Sequence, residues 1–452
     1  MRVLRMMGGP GATGCRGRGR TARRVLVTAL VGALLGGLGG CGGHPPGGDA
    51  APTGPPAVLD VPGHFRSIQA AVDHARPGDT VLVHPGEYHE SVQLRTPRVV
   101  LRGTDRQGVV VDGDFRRANG ITVTGAQSVV ENLTVRHHLA NGVLFTGVTD
   151  ERLQQHGAGG SGYNPLDTVR FPELNGFRAS YVTAYGNALY GIYAFDARAG
   201  VIEHSYASGQ ADSGIYVGQC HPCDTVVRAN EVEHNAVGIE ITNASENLAF
   251  LGNRVARNRV GVTLNSNDVE ALAPQHGAVL AGNVIVDDND PASPEQADGG
   301  FGIGVGVGGG TGNLLTRNLV SGNSAAGVLI SDVQGHPAGA NLVAGNRITG
   351  NGVDEVLAAG PDAGNCFTDQ PATAATGTAP PGPCLPVAAA AAQPPAPPGV
   401  SFRDLPPAPA RPGMPDPGAP GVPAVGLPGP VSPDAYPLPT DPGAVPPGPA
   451  GS

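Results

Sequence analysis

The sequence predicts an all-β chain wound as a right-handed parallel β-helix, a solenoid with a short N-terminal capping helix and a disordered Pro/Ala/Gly-rich C-terminal tail. Three observations carry the prediction. Gly191, Gly214, Gly238 and Gly261 recur 23, 24 and 23 residues apart, the length of one turn of a coiled parallel sheet. Asparagines form a second column at Asn230, Asn253, Asn283, Asn318 and Asn346. Between these marks apolar residues alternate, as in Gly214-Ile215-Tyr216-Val217 and Gly238-Ile239-Glu240-Ile241.

Each mark has a physical reason. Strand alternation sends Ile215 and Val217 to one side and Tyr216 to the other, so Tyr193, Tyr216, Glu240 and Thr263 are expected outside. Stacked asparagine amides can hydrogen-bond along the axis, and asparagine tolerates the left-handed backbone of a bend. Parallel neighbours need crossovers, which a coil supplies through short bends of the usual right hand. A propeller would need repeats of roughly 40 residues, and a leucine-rich repeat its leucine consensus. Neither pattern is present.

Residues 1–40 read as an export signal. A basic stretch from Arg16 to Arg24 precedes an apolar run from Val25 to Leu38, too short to span a bilayer comfortably. The run ends in Leu38-Gly39-Gly40-Cys41, which resembles the bacterial lipobox. That resemblance implies acylation of Cys41 and anchoring to the outer face of the cytoplasmic membrane, with ordinary cleavage nearby as the alternative. Residues 41–57 form a Gly/Pro tether. The coil occupies 58–365. At its start Ser67 can N-cap a helix carrying Ile68, Ala71 and Val72, ahead of strand Thr80-Val81-Leu82-Val83 and a turn at Pro85-Gly86. Residues 366–386 read as a cysteine-pinned cap. Residues 387–452 lack charge and hydrophobic periodicity and are expected to be disordered or polyproline-like.

The chain contains 71 glycines and 44 prolines but no tryptophan and no lysine. Without residues 1–40 it has 21 arginines against 38 acidic residues, a net charge of −17. Such a body repels phosphate backbones and anionic headgroups, which excludes nucleic acid and leaves membrane contact to the lipid anchor. It also makes a polyanionic glycan a poor partner without an arginine patch or a metal ion. After export four cysteines accompany Cys41, and the simplest pairing is Cys220–Cys223 and Cys366–Cys384. As a zinc half-site Cys220-His221-Pro222-Cys223 lacks two further ligands of suitable spacing.

The opening Phe65-Arg66-Ser67-Ile68-Gln69-Ala70-Ala71-Val72, with Pro77-Gly78-Asp79-Thr80-Val81 and Pro85-Gly86-Glu87-Tyr88, resembles the start of pectin-lyase-like right-handed β-helices. The body, most distinctively Asp212-Ser213-Gly214-Ile215-Tyr216-Val217-Gly218-Gln219-Cys220, looks like actinobacterial β-helix repeat proteins of lipoprotein type. The resemblance covers about residues 58–366. It implies the fold but no one activity, since such coils include lyases, hydrolases, esterases, epimerases, adhesins and a copper-loading protein.

The candidate site is the outer surface around Tyr193 and Tyr216. Exposed stacked tyrosines would offer flat faces to sugar rings, with Glu240 beside them as a binding group. His204, Asp212 and Asp196 are the catalytic candidates, because paired carboxylates or a histidine could move protons during cleavage, and His204 and Asp212 fall on departures from the repeat. Asp196 aligns with Gln219 and Asn243, which also fits a structural column. Residues 148–176 form the longest insertion, with Arg152, His156, Tyr163, Arg170 and Glu173 on one rim. No metal set and no cofactor is expected, although Asp287-Asp288-Asn289-Asp290 is a chemically reasonable calcium turn. The sequence thus favours an envelope protein that binds a polysaccharide or other cell-wall polymer and, if an enzyme, acts as a lyase or glycoside hydrolase. The alternatives are a structural or adhesion protein of the wall, and metal delivery.

Overall fold

The computed structural model describes residues 54–154, 166–296, 299–360, 363–373 and 377–446. The expected export signal, Cys41 and the expected tether as far as residue 53 lie outside the described residues, as do His156 and Tyr163 of the long insertion.

The chain coils through three faces. One turn passes along the first face at Thr225–Arg228, the second at Glu231–Glu233, and the third at the start of Val237–Leu251. Strands pair in parallel with their counterparts one turn earlier and one turn later, save at the two ends of each face, as in Ile192↔Ile215↔Ile239↔Val262↔Val305. Among the described residues the second face stacks ten strands. Ile215, Val217, Ile239, Ile241, Val262 and Leu264 fill the interior as expected.

The glycine column marks where successive turns approach too closely for a side chain. A Cβ on Gly238 would lie 2.6 Å from the Gly261 carbonyl oxygen and 2.4 Å from Val255 Cγ1. Gly191, Gly214, Gly261 and Gly304 meet the carbonyl of the next glycine in the same way.

The asparagine column is a continuous ladder. Each of Asn230, Asn253, Asn283 and Asn318 donates its backbone N–H and its amide Nδ2 to the Oδ1 one turn on, at 2.8–3.1 Å. A second ladder, not anticipated from the sequence, climbs the corner between the second and third faces through Gln210, Asn235, Asn258, Asp288, Asn323 and Asn351. These side chains replace the backbone partners that a bend withdraws from the sheet.

The coil start follows the sequence reading. The helix is Ile68–His74, Ser67 Oγ accepts from Ala70 N at 3.1 Å, and Ile68, Ala71 and Val72 are buried. The Glu90 carboxylate takes the next free amides, Ile68 N and Gln69 N, at 2.9 Å each. Both disulfides form as paired in the sequence analysis, Cys220–Cys223 and Cys366–Cys384.

Among the described residues the segment from 387 carries no regular structure beyond a single parallel bridge from Ala388 to Val356 and a 3-10 turn at Pro433–Ala435, in keeping with its composition. It is nevertheless not detached from the coil. Its carbonyls accept from arginines of the body, among them Pro397 from Arg259, Pro412 from Arg106, Ala419 from Arg102 and Pro433 from Arg317. The Arg411 guanidinium stacks 4.1 Å from the Tyr206 ring centre and pairs with Glu231 at 2.7 Å. Composition favours disorder, but that argument counts only the segment's own apolar surface. Here the arginines of the coil supply the compensating bonds.

Candidate functional site

On the third face the register stacks Leu144, Tyr193, Tyr216, Glu240 and Thr263 in one outward row. Two excursions of the chain flank it. Residues 266–275 leave the third face, and residues 287–302 lead back onto it. From the first, Glu270 reaches over the row and accepts a hydrogen bond from the Tyr216 hydroxyl at 2.6 Å. From the second, Gln296 Nε2 donates to Asp212 Oδ1 at 2.7 Å.

Asp212 stands directly before the strand Ser213–Cys220. The Ser213 hydroxyl lies between two carboxyl groups, in contact with Glu240 Oε2 and 3.2 Å from Asp212 Oδ1. Thr242 Oγ1 donates to the other Glu240 oxygen at 3.1 Å. Three acids, Asp212, Glu240 and Glu270, therefore converge on one patch, and each keeps part of its surface open to solvent.

The environment holds protons on two of them, Glu270 and Asp212. Burial pushes the Glu270 carboxyl up to about 8, the Tyr216 hydroxyl opposing and the Glu240 charge adding to the rise. Burial and then the Glu240 charge lift Asp212 well above the usual carboxylate range. No ion pair reaches Asp212 or Glu270 among the described residues. An arrangement of this kind places protonated acids beside a carboxylate, as proton transfer in both directions requires.

The tyrosines point outward as expected, but they are not exposed. Tyr216 is 1% and Tyr193 8% accessible. The Tyr190 ring lies flat on Tyr193 at 4.2 Å, and Tyr216 meets Tyr193 edge-on at 4.8 Å. Tyr190 and the overhanging Glu270 turn the expected platform into the floor of the patch. Among these rings Tyr190 and Phe195 retain more open surface.

The other sequence candidates go elsewhere. His204 sits in the corner between the first and second faces at φ 50°, stacked on Tyr181 at 4.9 Å, with burial holding its imidazole below the ordinary range. Its departure from the repeat reflects a bend position and no approach to Asp212. Asp196 lies at the far end of the third-face strand, fully buried, with Gln219 and Asn243 in the same left-handed column at φ 56°, 55° and 47°. Burial, then Glu173, raises its carboxyl to about 7. The calcium turn is not assembled, because Asp288 belongs to the second ladder and Asp290 accepts from Ser293 and meets His234 at 2.8 Å. Glu203 and Glu233 are paired with arginines.

Glu270, Gln296, Ser213 and Tyr190 are the members that sequence reasoning missed. The spacing of 23 between Tyr190 and Ser213 could have placed those two on neighbouring turns, but nothing periodic marks the loop residues. A cavity of about 230 Å³ lies away from this patch, on the first face under residues 427–431. Its Arg178 and Arg228 are already paired with Glu131 and Glu203, at 2.9 and 2.7 Å.

Comparison with known proteins bears on the coil. No curated protein sequence matches the chain. Among solved structures, the A-module of a mannuronan C-5 epimerase from Azotobacter vinelandii is 18% identical, covering 67% of this chain and 89% of that one with a TM-score of 0.45. A periplasmic alginate epimerase is 13% identical over 70% of this chain and 83% of its own, TM-score 0.41. A pectate lyase is 16% identical over 70% and 74%, TM-score 0.38. Nothing of these enzymes' chemistry follows for this chain from values this low. Residues 119–272 match the family described as right handed beta helix region. With the parallel registers above, the folded body of this chain is a right-handed parallel β-helix.

Proposed function

We propose that the chain is an exported envelope protein whose third face binds a neutral polysaccharide and hydrolyses its glycosidic bonds. The convergence of Asp212, Glu240 and Glu270 carries this reading. Crowding acids whose charges oppose one another lowers stability, so a purely structural patch would not be built this way. In the reaction Asp212 gives its proton to the glycosidic oxygen as the Glu240 carboxylate attacks the anomeric carbon and the bond between that carbon and oxygen breaks. A water that gives its proton to Asp212 then displaces Glu240 from the sugar, so one water is consumed and both carboxyl groups return to their starting state. The Tyr190 and Phe195 rings offer apolar edges to the sugar. A polyuronate such as those named for the epimerases and the lyase would bring carboxylates against the Glu240 charge and a body of net charge −17, which is why a neutral glycan is chosen.

The test incubates the purified mature chain with neutral and acidic polysaccharides and follows soluble products by mass. Reducing ends released from a neutral polymer are expected, with Asp212→Asn and Glu240→Gln each slower by about a hundredfold. Unsaturated ends from a uronate polymer would overturn the assignment. Retention on a glycan without products would leave a binding module, and no retention on any would return the chain to the structural reading. For the anchor, the Leu38-Gly39-Gly40-Cys41 motif supports acylation of Cys41. Cys41→Ser is then expected to move the chain from the membrane fraction to the soluble one.

A further inference from the structure

Three consecutive turns bring two histidines and a glutamate together at the corner between the third and first faces. His221 stands in the bend after strand Ser213–Cys220, Glu246 in the bend within Val237–Leu251, and His276 at the start of His276–Ala281. Their ligand atoms all lie within 4.8 Å of one another. Glu246 Oε1 is 3.4 Å from His221 Nε2 and 3.4 Å from His276 Nε2, and the two rings meet edge-on at 5.2 Å.

We propose that this corner is a binding site for a divalent transition-metal ion of the zinc class, with His221, Glu246 and His276 as its three protein ligands. Geometry favours it. Ligand atoms about 2.0–2.1 Å from a tetrahedral ion stand roughly 3.3–3.4 Å apart, the separation found along both measured edges. The surroundings favour it too. His276 Nδ1 lies 3.3 Å from the Pro274 carbonyl oxygen, a partner that can only accept and so suits the tautomer whose Nε2 is free to ligate. A carbonyl that fixes the tautomer of a ligating imidazole is the usual support of such a site. Two imidazoles and one carboxylate suit zinc rather than calcium, which takes oxygen alone.

The site answers what the CxxC spacing left incomplete. Cys220 and Cys223 are joined to each other and supply no thiolate, but the bend they close presents His221, and the missing ligands arrive from the next two turns. The other clustered donors, Glu87, His89 and Asp112, are a weaker candidate, because Arg136 already occupies Glu87 and Asp112. Since His276 ends the excursion that carries Glu270, an ion here ties down the base of that loop.

The test uses the full mature chain, stripped with chelator and titrated calorimetrically with Zn²⁺ alone, then with Co²⁺ to read coordination from its visible spectrum. One ion per chain is expected, with the intense absorption of tetrahedral cobalt. His276→Ala and Glu246→Gln are expected to weaken Zn²⁺ binding by about tenfold or more, and Zn²⁺ to raise the melting temperature of the parent but not of His276→Ala. The substituted side chains lie at the surface, and melts without metal check that the variants fold. Absence of saturable binding, binding unchanged in both variants, or an octahedral cobalt spectrum would each overturn the assignment. None of these outcomes bears on glycan cleavage, so the two readings fail separately.

Discussion

Asn258→Leu is expected to cost about 4 kcal/mol of folding stability and to lower the melting temperature on the order of 5–10 °C. The side chain is fully buried and makes bonds in both directions along the coil. Its Oδ1 accepts from Asn235 N and Nδ2 at 3.0 Å each, and its Nδ2 donates to Asp288 Oδ1 at 2.9 Å and to Val232 O at 3.2 Å. Leucine fills the space but leaves the Asn235 backbone N–H without its partner and takes a donor from the Val232 carbonyl where water cannot enter. Leaving such groups unpaired costs about 1–3 kcal/mol each. Asn346→Ala, at the more open upper end of the other ladder, should cost clearly less. Denaturant melts that rank the two variants equally, or in reverse, would show that the ladder is a consequence of the coil and not a support.

Raising the pH from 4 to 9 is expected to destabilise the protein, and Asp288→Asn to abolish much of that loss. Asp288 stands where its ladder otherwise uses asparagine. Its Oδ1 accepts from Asn258 as an amide oxygen would, while its Oδ2 takes the place of Nδ2 and meets no donor among the described residues. Burial raises the carboxyl from its ordinary 3.8 to about 8. Below about pH 4 the folded and unfolded chains both hold this proton and nothing is lost. Between about 4 and 8 only the folded chain retains it, so stability falls as pH rises and levels off above the folded value. Glu270 and Asp212, shifted in the same direction, steepen the fall. The asparagine variant should match the parent near pH 4 and exceed it at pH 9 by on the order of 5–6 kcal/mol. Parallel stability curves for the two proteins across that range would mean that Asp288 is ionised in the fold.

The legibility of the sequence follows the coil's arithmetic. Gly214, Gly238 and Asn253 could be placed because each turn repeats a steric demand at a fixed interval, and Tyr216 and Glu240 became neighbours by simple alignment. The second ladder escaped notice because Gln210 and Asp288 interrupt its asparagines and the insertions at 266–275 and 287–302 stretch its spacing. The same insertions hid Glu270 and Gln296, since a loop has no period from which to infer where its side chains land. That is also why the tyrosines read as exposed. An alignment of strands says which way a ring points and nothing of what is laid over it. His204 drew attention as a departure from the repeat, but a bend tolerates departures for reasons that have no connection with chemistry.

The returning C-terminal segment changes how the coil can come apart. A solenoid whose turns touch only their neighbours yields one turn at a time, like a thread drawn from a spool. Here Arg102 near the beginning is bonded to Ala419, Arg259 in the middle to Pro397, and Arg317 towards the far end to Pro433. A lacing of this kind runs lengthwise, across turns that have no contact of their own. Tension applied at one end is shared along the whole stack until the lacing peels away, so the coil resists unravelling from one terminus as a bound bundle would.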